Sequence, residues 1–395
     1  MKTIQKRQDR INREKVGSTF DYTLLLIVIF LLGFGMIMIY SASSYSSAIE
    51  FNDAAYFLKK QIKAVALGTV AMFIVSFIPV QLYSKRTITW YAIGLGSLIL
   101  LLTPLAITAN GATRWLNFKI LTMQPAELVK LCMILFYASL MCKMEKATNT
   151  MKGYFFAFLL PFPMAGAVYL ISDNLSSAII VLGICFLMLA VASKNVKCTL
   201  ITSGALLLLV GGVVGGILLF ADPTKNFRFA RIFAWIHPEN YSQGTGFQTL
   251  QSLYAIGSGG VFGKGLGQSI QKMNYIPEAQ NDMIFSVICE ELGLFGAFAV
   301  LALFVALLFR CLVIIVNAKD MYSQMVAVGI MSHFAIQVIL NIAVVTNTFP
   351  NTGVSLPFIS YGGSSVLFLL VEIGMLLSIA SGRTWKAKGE RHAEE

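Results

Sequence analysis

Residues 283–309 read MIFSVICEELGLFGAFAVLALFVALLF, an apolar run in which Glu290 and Glu291 are the only charged side chains. A helix of about 20 apolar residues is long enough to cross the hydrocarbon core of a bilayer. Nine other stretches have the same character, so the sequence predicts an all-α integral membrane protein with about ten transmembrane helices. The other predicted spans are residues 22–42, 57–79, 87–107, 125–142, 154–171, 175–193, 199–220, 322–345 and 364–381.

The overall composition supports this fold class. Of the 395 residues, 57% are apolar and only 12% are charged, whereas soluble domains carry roughly 25% charged residues. We therefore interpret the net charge of +11 as the excess of Lys and Arg in the inner loops of a membrane protein, not as a nucleic-acid-binding surface. The six cysteines form no CxxC pair, which predicts packing residues and neither disulfides nor metal ligands.

The distribution of basic residues predicts the orientation of the chain. Ten spans place both termini on one side, and if that side is the cytoplasm, 19 of the 30 basic residues lie in inner segments, as the positive-inside rule requires. The predicted organisation is a basic cytoplasmic tail (1–21), a ten-span membrane domain (22–381) and a second cytoplasmic tail (382–395). One large extracytoplasmic loop, residues 221–282, joins spans seven and eight.

Ionisable residues inside spans are costly, so each is a candidate for function. Gln124, Glu127 and Lys130 lie in the stretch MQPAELVK at residues 123–130, where Pro125 suits the first turn of a helix. Glu127 and Lys130 are three residues apart and share a helical face. Two interpretations remain open: an internal ion pair that steadies the bundle, or a pair that faces a polar cavity near the outer leaflet.

Two further polar sites lie at outer span ends. Arg114 and Trp115 follow the third span, where they are either interfacial anchors or, since Arg matches phosphate geometry, part of an anion site. Asp173 and Asn174 stand at the mouth of the sixth span. They are either a cap for that helix or part of the same cavity.

The densest group of acids lies in YIPEAQNDMIFSVICEELGLFG, residues 275–296. It contains Glu278, Asp282, Glu290 and Glu291, and on a helix Asp282, Ser286 and Glu290 fall on one stripe. Asp282, where the long loop enters a span, has an alternative interpretation as a helix N-cap. A cap accounts for one acid at the start of the helix but not for two more acids two turns later.

The long loop contains two recognisable segments. Residues 247–256, FQTLQSLYAI, include Gln248 and have the helical spacing of a short amphipathic helix. The run GSGGVFGKGLG at residues 257–267, which includes Lys264, then interrupts it. Its glycines permit close backbone approach, and a phosphate-binding loop is one interpretation of this pattern.

A second outer loop precedes the last span. It reads PNTG at residues 350–353 and PFISYGGSS at residues 357–365, with Ser360 and Tyr361 in the second part. Irregular backbone at membrane depth must be buried in protein or line a cavity. The residues alone therefore predict a polar, outward-opening cavity with carboxylates and several cations, which suits either an enzyme or a transporter.

Several stretches resemble the SEDS family of bacterial cell-wall synthases, the FtsW, RodA and SpoVE proteins. The likeness reaches from the first span to the last and is closer to the FtsW and SpoVE branch than to RodA. One departure is Ser172-Asp173-Asn174-Leu175, where the family usually has Asp-Leu-Gly. The matching stretches are YSAS (40–43), GATRW (111–115), QPAE (124–127) with Lys130, GTGFQTLQSLYAIGSGG (244–260), GKGLG (263–267), IPEAQNDMIFSVICEELG (276–293) and TGVSLPFISYGGSS (352–365).

This resemblance implies a peptidoglycan glycosyltransferase that polymerises lipid II into β-1,4-linked glycan strands at the outer face of the bacterial cytoplasmic membrane. It implies that Asp282 is the catalytic acidic residue. Fixed cations, with Arg231 among the candidates, or a divalent cation such as Mg²⁺ or Mn²⁺ would stabilise the leaving pyrophosphate; no residue is assigned as a metal ligand. The side chains expected to bind substrate or line the cavity are Arg114, Trp115, Gln124, Glu127, Lys130, Asp173, Gln248, Lys264, Glu278, Glu290, Ser360 and Tyr361.

The expected partners are lipid II, membrane lipids and a class B penicillin-binding protein, the transpeptidase with which the family works. Three alternatives remain: a lipid II flippase, a RodA-like polymerase for elongation, and a scaffold that only recruits a partner. A flippase needs polar groups along both leaflets, whereas the candidates here cluster towards the outer half. A scaffold does not account for the acids at residues 278–291.

Overall fold

The computed structural model describes residues 20–383 except 110–111, 118–121, 223–226, 245 and 274, so the predicted tails lie almost entirely outside it. In this part of the chain, the helices are α1 (Tyr22–Phe51), α2 (Tyr56–Ser76), α3 (Gln81–Ser84), α4 (Thr87–Ile99), α5 (Pro125–Lys143), α6 (Met151–Leu159), α7 (Phe162–Ser172), α8 (Leu175–Ala192), α9 (Val196–Phe220), α10 (Phe227–Ile236), α11 (Phe247–Gly259), α12 (Ile284–Asn317), α13 (Met321–Val345) and α14 (Gly363–Ala380). The strands are β1 (Ala106–Ala109), β2 (Ala112–Asn117) and β3 (Thr122–Met123), in one antiparallel sheet.

The all-α membrane fold predicted from the sequence is confirmed. Every predicted span contains a helix, and within the described chain eight helical segments are long and apolar enough to cross a membrane. The two that do not meet this measure are α2, which carries three lysines in its first two turns, and α4, which is short. The count of ten spans therefore stays a prediction.

Proline modifies two of the predicted spans. The fifth span, 154–171, is present within the membrane-length segment Met151–Ser172, but this segment is divided into α6 and α7 around Pro161, because proline lacks the N–H that a helix interior requires. The third span, expected to reach residue 107, ends at Leu102 because Pro104 holds Thr103 in an extended conformation. The chain then forms the three-stranded sheet, which the apolar pattern did not predict.

The centre of the bundle is formed by α5, α13 and α14, most of whose side chains are buried. Helix α2 runs parallel to α14: Gly362 N donates to Gln61 Oε1 at one end, and Ser378 Oγ donates to the carbonyl of Ile78 at the other. Helix α9 lies at the periphery, since only Cys198 and Thr202 are buried on it. The core is thus a helical bundle that contains buried polar side chains, and α9 lies outside it.

The long loop covers one end of this bundle, which we call the long-loop face. This is the end at which α13 finishes and at which α5 and α14 begin. Ser252 Oγ of α11 donates 2.9 Å to the carbonyl of Val345, and Trp235 Nε1 of α10 donates 3.0 Å to that of Asn347. The amphipathic helix predicted at 247–256 is confirmed as α11, and the two loop helices lie across the ends of the bundle helices.

Candidate active site

Asp282 lies at the end of the long loop, just ahead of α12, with a half-buried side chain. Met283 takes the N-cap position of α12, and no described side chain caps this helix. The interpretation of Asp282 as an N-cap is therefore wrong. The side-chain amide of Asn341 on α13 fixes the main chain here, donating 2.7 Å to the carbonyl O of Asp282 and 2.8 Å to that of Val354.

Gln248 connects α11 to this carboxylate. Its Nε2 lies 3.4 Å from Asp282 Oδ1 and 3.3 Å from the carbonyl O of Pro277, and its Oε1 accepts a hydrogen bond of 2.9 Å from Asn351 Nδ2. Gly353, with a φ of +65°, lies beside the other oxygen, since a Cβ there would be in van der Waals contact with Asp282 Oδ2 at 3.7 Å. The structure thus brings the loop helix, the acid-rich stretch and the PNTG loop together around one carboxylate.

The surroundings of Asp282 suit proton transfer near neutral pH. Desolvation, followed by repulsion from Glu278, raises the pKa of Asp282 to about 6, although Arg231 and Gln248 favour its charged form. Glu278 itself is exposed and accepts a hydrogen bond of 2.6 Å from Asn281 Nδ2. A carboxyl group with this pKa is mostly ionised at pH 7 and still basic enough to take a proton, as a general base must be.

Asp173 binds two arginines and does not cap the next helix. Asn174 caps α8, because its Oδ1 accepts a hydrogen bond of 3.0 Å from Ser177 N. Asp173 ends α7 in the left-handed conformation, where its carboxylate forms an ion pair with Arg228 and its carbonyl accepts 2.8 Å from Arg114 Nη2. Arg114 Nε is buried with no hydrogen-bond partner in the described part of the chain.

Arg231 extends this basic group towards Asp282. It lies three residues after Arg228, on the same face of α10, and its Nη1 donates 3.4 Å to the carbonyl of Asn351. Desolvation and repulsion from Arg114 lower the pKa of Arg231, whereas the Asp282 carboxylate raises it. Arg231 is therefore within electrostatic range of Arg114, Arg228 and the Asp282 carboxylate, and it connects the basic group to that carboxylate on the long-loop face.

Glu127 and Lys130 form the ion pair that their spacing predicted. Lys130 Nζ lies 2.8 Å from Glu127 Oε1, and the lysine side chain is only 1% exposed. Ser365 Oγ on α14 lies 3.5 Å from Glu127 Oε2. Gln124 takes the N-cap position and Pro125 the first position of α5, as expected. The pair is thus part of the bundle, and its contact with a substrate stays a prediction.

Glu290 and Lys264 bind each other, with Nζ 2.7 Å from Oε1, and Ser269 also donates to the Glu290 carboxylate. The adjacent Glu291 binds Lys272 at 2.8 Å in the same way. Both glutamates are fully buried. These pairs fasten the second half of the long loop to α12, so the structure does not bring Glu290 or Lys264 into contact with Asp282.

The glycine run that ends the loop helix packs against α12 and does not form the phosphate loop considered above. Gly263 and Gly293 meet so closely that a Cβ on Gly293 would lie 2.3 Å from Gly263 N. The amides of Lys264 and Gly265 each donate 2.9 Å to a main-chain carbonyl of α12. Amides that a phosphate would need are thus already occupied.

Trp115, Ser360 and Tyr361 contribute to the shape of the long-loop face. Trp115 is half-buried on β2. Ser360 Oγ accepts 2.8 Å from a main-chain N–H within its own loop. Tyr361 N donates 2.9 Å to the carbonyl of Gln280, and its ring meets that of Phe57 edge-on. These contacts order the loop backbone, and direct substrate contacts of the three residues stay predictions.

Sequence reasoning missed four residues of the polar interior. Arg228 could have been found from its spacing of three from Arg231 on a helical face. His333 and Glu372 are ionisable residues inside spans, which is the signal already applied to Glu127, and Nδ1 of His333 lies 2.9 Å from a Glu372 oxygen. Asn341 carries no comparable signal, because one amide in an apolar run does not reveal which carbonyls it contacts.

The described residues contain no group of three or more His, Cys, Asp and Glu side chains that could hold a metal ion. Asp282 and Glu278, which repel each other, are only two carboxylates and fall short of such a group, so no residue is assigned as a metal ligand.

Comparison with known proteins agrees with this geometry. The profile of the family described as cell cycle protein, FtsW/RodA/SpoVE, matches residues 22–384. The chain belongs to the FtsW/RodA/SpoVE family. The membrane fold is therefore that of a member of this family, as the resemblance implied, and the role of Asp282 stays a prediction.

Two relatives illustrate how close the match is. Stage V sporulation protein E from Bacillus subtilis (strain 168) is 37% identical over 362 residues, which cover 91% of this chain and 96% of the relative. A probable peptidoglycan glycosyltransferase FtsW from Trichlorobacter lovleyi is 34% identical over 365 residues, covering 92% and 93%. Both fit the prediction that the chain is nearer to the FtsW and SpoVE branch.

Solved structures match the fold over nearly the whole chain. One, described as "Structural coordination of polymerization and crosslinking by a peptidoglycan synthase complex", has a TM-score of 0.76 and 25% identity, and covers 92% of this chain and 98% of its own. The rod shape determining protein RodA of Thermus thermophilus has a TM-score of 0.64 at 24% identity, covering 93% and 99%. The second likeness concerns the fold alone.

Proposed function

We propose that this protein is a peptidoglycan glycosyltransferase that polymerises lipid II into β-1,4-linked glycan strands at the outer face of the cytoplasmic membrane. The observation that carries the proposal is the half-buried Asp282 carboxylate, with a pKa near 6, on the same face as three arginines. Acceptor activation and pyrophosphate departure require these two features in one place. The names of the FtsW relatives support the same reaction.

The chemical step follows from this arrangement. The 4-hydroxyl oxygen of the acceptor sugar forms a bond to the anomeric carbon of the donor, while its proton passes to Asp282. The bond between that carbon and the pyrophosphate oxygen breaks, and its electron pair leaves with undecaprenyl pyrophosphate. A single displacement inverts the α-linked donor to a β-linked product, by analogy with inverting glycosidases. Gln248 and Asn341 hold the base by its side chain and main chain.

The arginines stabilise the leaving group. A pyrophosphate beside Arg114 and Arg231 accepts charge-assisted hydrogen bonds, which are roughly twice as strong as neutral ones, and it offsets the mutual repulsion of the arginines. Arg228 completes the group from its place beside Asp173.

The alternative function is a lipid II flippase. The buried Glu127–Lys130 and His333–Glu372 pairs give it some support, since they lie inside the bundle. The polymerase is favoured because the base and the arginines lie at the membrane surface, where a flippase needs no base. Purified protein, with and without its transpeptidase, should convert lipid II to polymer; lipid II transfer across vesicles without any polymer would support the flippase instead.

The partner and cellular role are part of the proposal. A class B penicillin-binding protein is the expected partner, which the likeness to a peptidoglycan synthase complex supports. The identities to SpoVE and FtsW proteins favour cell division or sporulation over elongation. Co-purification of the chain with a candidate transpeptidase, and a rise in polymer yield on mixing them, tests the assignment; no association with any class B enzyme would contradict it.

We also propose that both termini are cytoplasmic and that residues 221–282 lie outside. The split of basic residues supports this orientation. A single cysteine at the exposed Ser242, in a chain whose six cysteines are replaced, should react with an impermeant reagent added to intact cells. Reaction only after lysis would reverse the topology.

A further inference from the structure

The His333–Glu372 pair lies deep in the bundle with one nitrogen unused. His333 Nδ1 is 2.9 and 3.0 Å from the two carboxylate oxygens of Glu372, and the two side chains are at most 1% exposed. His333 Nε2 is buried and has no hydrogen-bond partner in the part of the chain that the structure describes. In the tautomer that carries its proton on Nδ1, against the Glu372 carboxylate, the imidazole presents the Nε2 lone pair as a proton acceptor.

Helix α13 continues this polar feature towards Asp282. His333, Gln337 and Asn341 are spaced by four residues and so follow one stripe of the helix, about 12 Å long at 1.5 Å per residue. Gln337 Oε1 and Asn341 Oδ1 are also buried without partners among the described residues. At the far end, the amide of Asn341 donates 2.7 Å to the carbonyl O of Asp282.

Three unpaired polar atoms on one buried stripe need an explanation. An unsatisfied buried polar group destabilises the fold, and such groups normally bind ordered water, which makes two to four hydrogen bonds in a polar site. We propose that the His333–Gln337–Asn341 stripe binds a file of internal water molecules that connects the His333–Glu372 pair to Asp282 and passes the catalytic proton between them.

Every proton in this transfer is accounted for. The proposal rests on the proposed function, because Asp282 must first take the proton of the acceptor hydroxyl. The acceptor hydroxyl gives its proton to Asp282, and Asp282 gives that proton to the nearest water. Each water passes one proton along the file, and the last bond formed is N–H at His333 Nε2. The same path run backwards returns the proton once the product has left Asp282 open to solvent.

Charged groups on the neighbouring helices set the conditions at each end. Lys130 and Glu127 of α5 act electrostatically on both His333 and Glu372. Since Lys130 and Glu127 form their own ion pair, they contribute a dipole and little net charge. At the other end, Glu278 and Arg231 face Asp282 with opposite effects on its charge. The file therefore has one ionisable side chain at each end, His333 and Asp282.

Radiolytic footprinting tests for the water without any need for activity. A buried side chain is oxidised by X-ray-generated hydroxyl radicals only if a bound water molecule lies beside it. We expect oxidation of His333 and protection of its neighbour Phe334, which is fully buried against Phe358. Gln337→Leu should reduce the oxidation of His333 several-fold. Protection of His333 equal to that of Phe334 would overturn the proposal.

Kinetics of Gln337→Leu test the role of the file. The change leaves Asp282 and His333 intact, so we expect kcat for lipid II polymerisation to fall about tenfold, a fraction of what a positioned base contributes, with KM unchanged and a smaller solvent isotope effect on kcat. Ser332→Ala, also buried on α13 but off the stripe, should change none of these values.

The outcomes separate this proposal from the proposed function. If Gln337 has only a structural role, Gln337→Leu should have an unchanged or higher Tm, because the leucine removes an unpaired buried oxygen, and a normal kcat. That result overturns the proton path. If Asp282→Asn is inactive while Gln337→Leu is normal, the base assignment stands and the file alone is wrong. If the wild type makes no polymer, the proposed function itself fails, whatever footprinting shows.

Discussion

Gln248 on α11 lies 34 residues before Asp282 in the chain, yet its Nε2 is 3.4 Å from Asp282 Oδ1. The same side chain accepts a hydrogen bond from Asn351. One amide thus ties the loop helix, the carboxylate and the loop that follows α13. A partner that moves α11 would change the hydrogen bonding of the base directly, so the long loop is the natural place for control of the reaction.

The first prediction concerns pH. Because Asp282 must be ionised to accept a proton and its pKa is about 6, kcat/KM should be constant above that pH and fall about tenfold per unit below it. Glu278→Gln removes a neighbouring negative charge, so the acidic limb should move to lower pH. Gln248→Leu removes a donor to the carboxylate and should move it to higher pH. Initial rates of lipid II polymerisation between pH 5 and 8 measure both shifts. If the acidic limb of the pH profile is identical in the wild type and both variants, a group other than Asp282 titrates there.

The second prediction concerns Arg228. Arg228→Ala should raise KM for lipid II roughly tenfold or more, since a hydrogen bond to a charged group is worth about 1.5–3 kcal/mol. Arg310→Ala is the control, because the Arg310 side chain is exposed to the same extent, 32% against 31%, and pairs with the buried Asp21 away from the long-loop face. Equal KM changes in the two variants would mean that Arg228 acts only through folding.

The third prediction concerns the buried Glu127–Lys130 pair. Lys130→Met alone leaves a buried carboxylate without its cation, which should cost about 3–5 kcal/mol of stability. Glu127→Gln with Lys130→Met leaves no orphan charge, so the double variant should regain much of the lost Tm. We expect its polymerisation rate to stay low, since we predict that the pair also contributes to the substrate cavity. A normal rate in the double variant would make the pair purely structural and leave the cation site to the arginines.

The fourth prediction concerns the packing of α11 on α12. A Cβ at Gly259 would lie 2.0 Å from the carbonyl O of Cys289, whereas one at Gly257, on the same helix, would meet nothing within 4 Å. Gly259→Ala should therefore destabilise the protein by roughly 1–3 kcal/mol. Gly257→Ala should be neutral or stabilising by up to about 1 kcal/mol, because alanine is the better helix former. Thermal unfolding in detergent compares them, and equal Tm values would contradict the close contact.

The sequence predicts the helices, the loop helix and the position of Asp282 well, since apolar runs and intramembrane charge report directly on burial. It does not predict the break at Pro161 or the strands after Leu102, because span length alone conceals where proline stops a helix. It also cannot tell that Glu290 binds Lys264 while Asp282 faces the arginines. That difference depends on tertiary packing, in which the second half of the long loop places Lys264 and Ser269 against the Glu290 carboxylate.

The most direct test of the account is the polymerisation of lipid II by purified Asp282→Asn protein. Asparagine keeps the size of the side chain and removes its basicity, so we expect normal insertion and Tm, with a rate at least 10²-fold lower. Asp53→Asn, at an exposed carboxylate paired with Lys59, is the control and should polymerise at the normal rate. An Asp282→Asn protein that polymerises lipid II as fast as the wild type would contradict the assignment of Asp282 as the base.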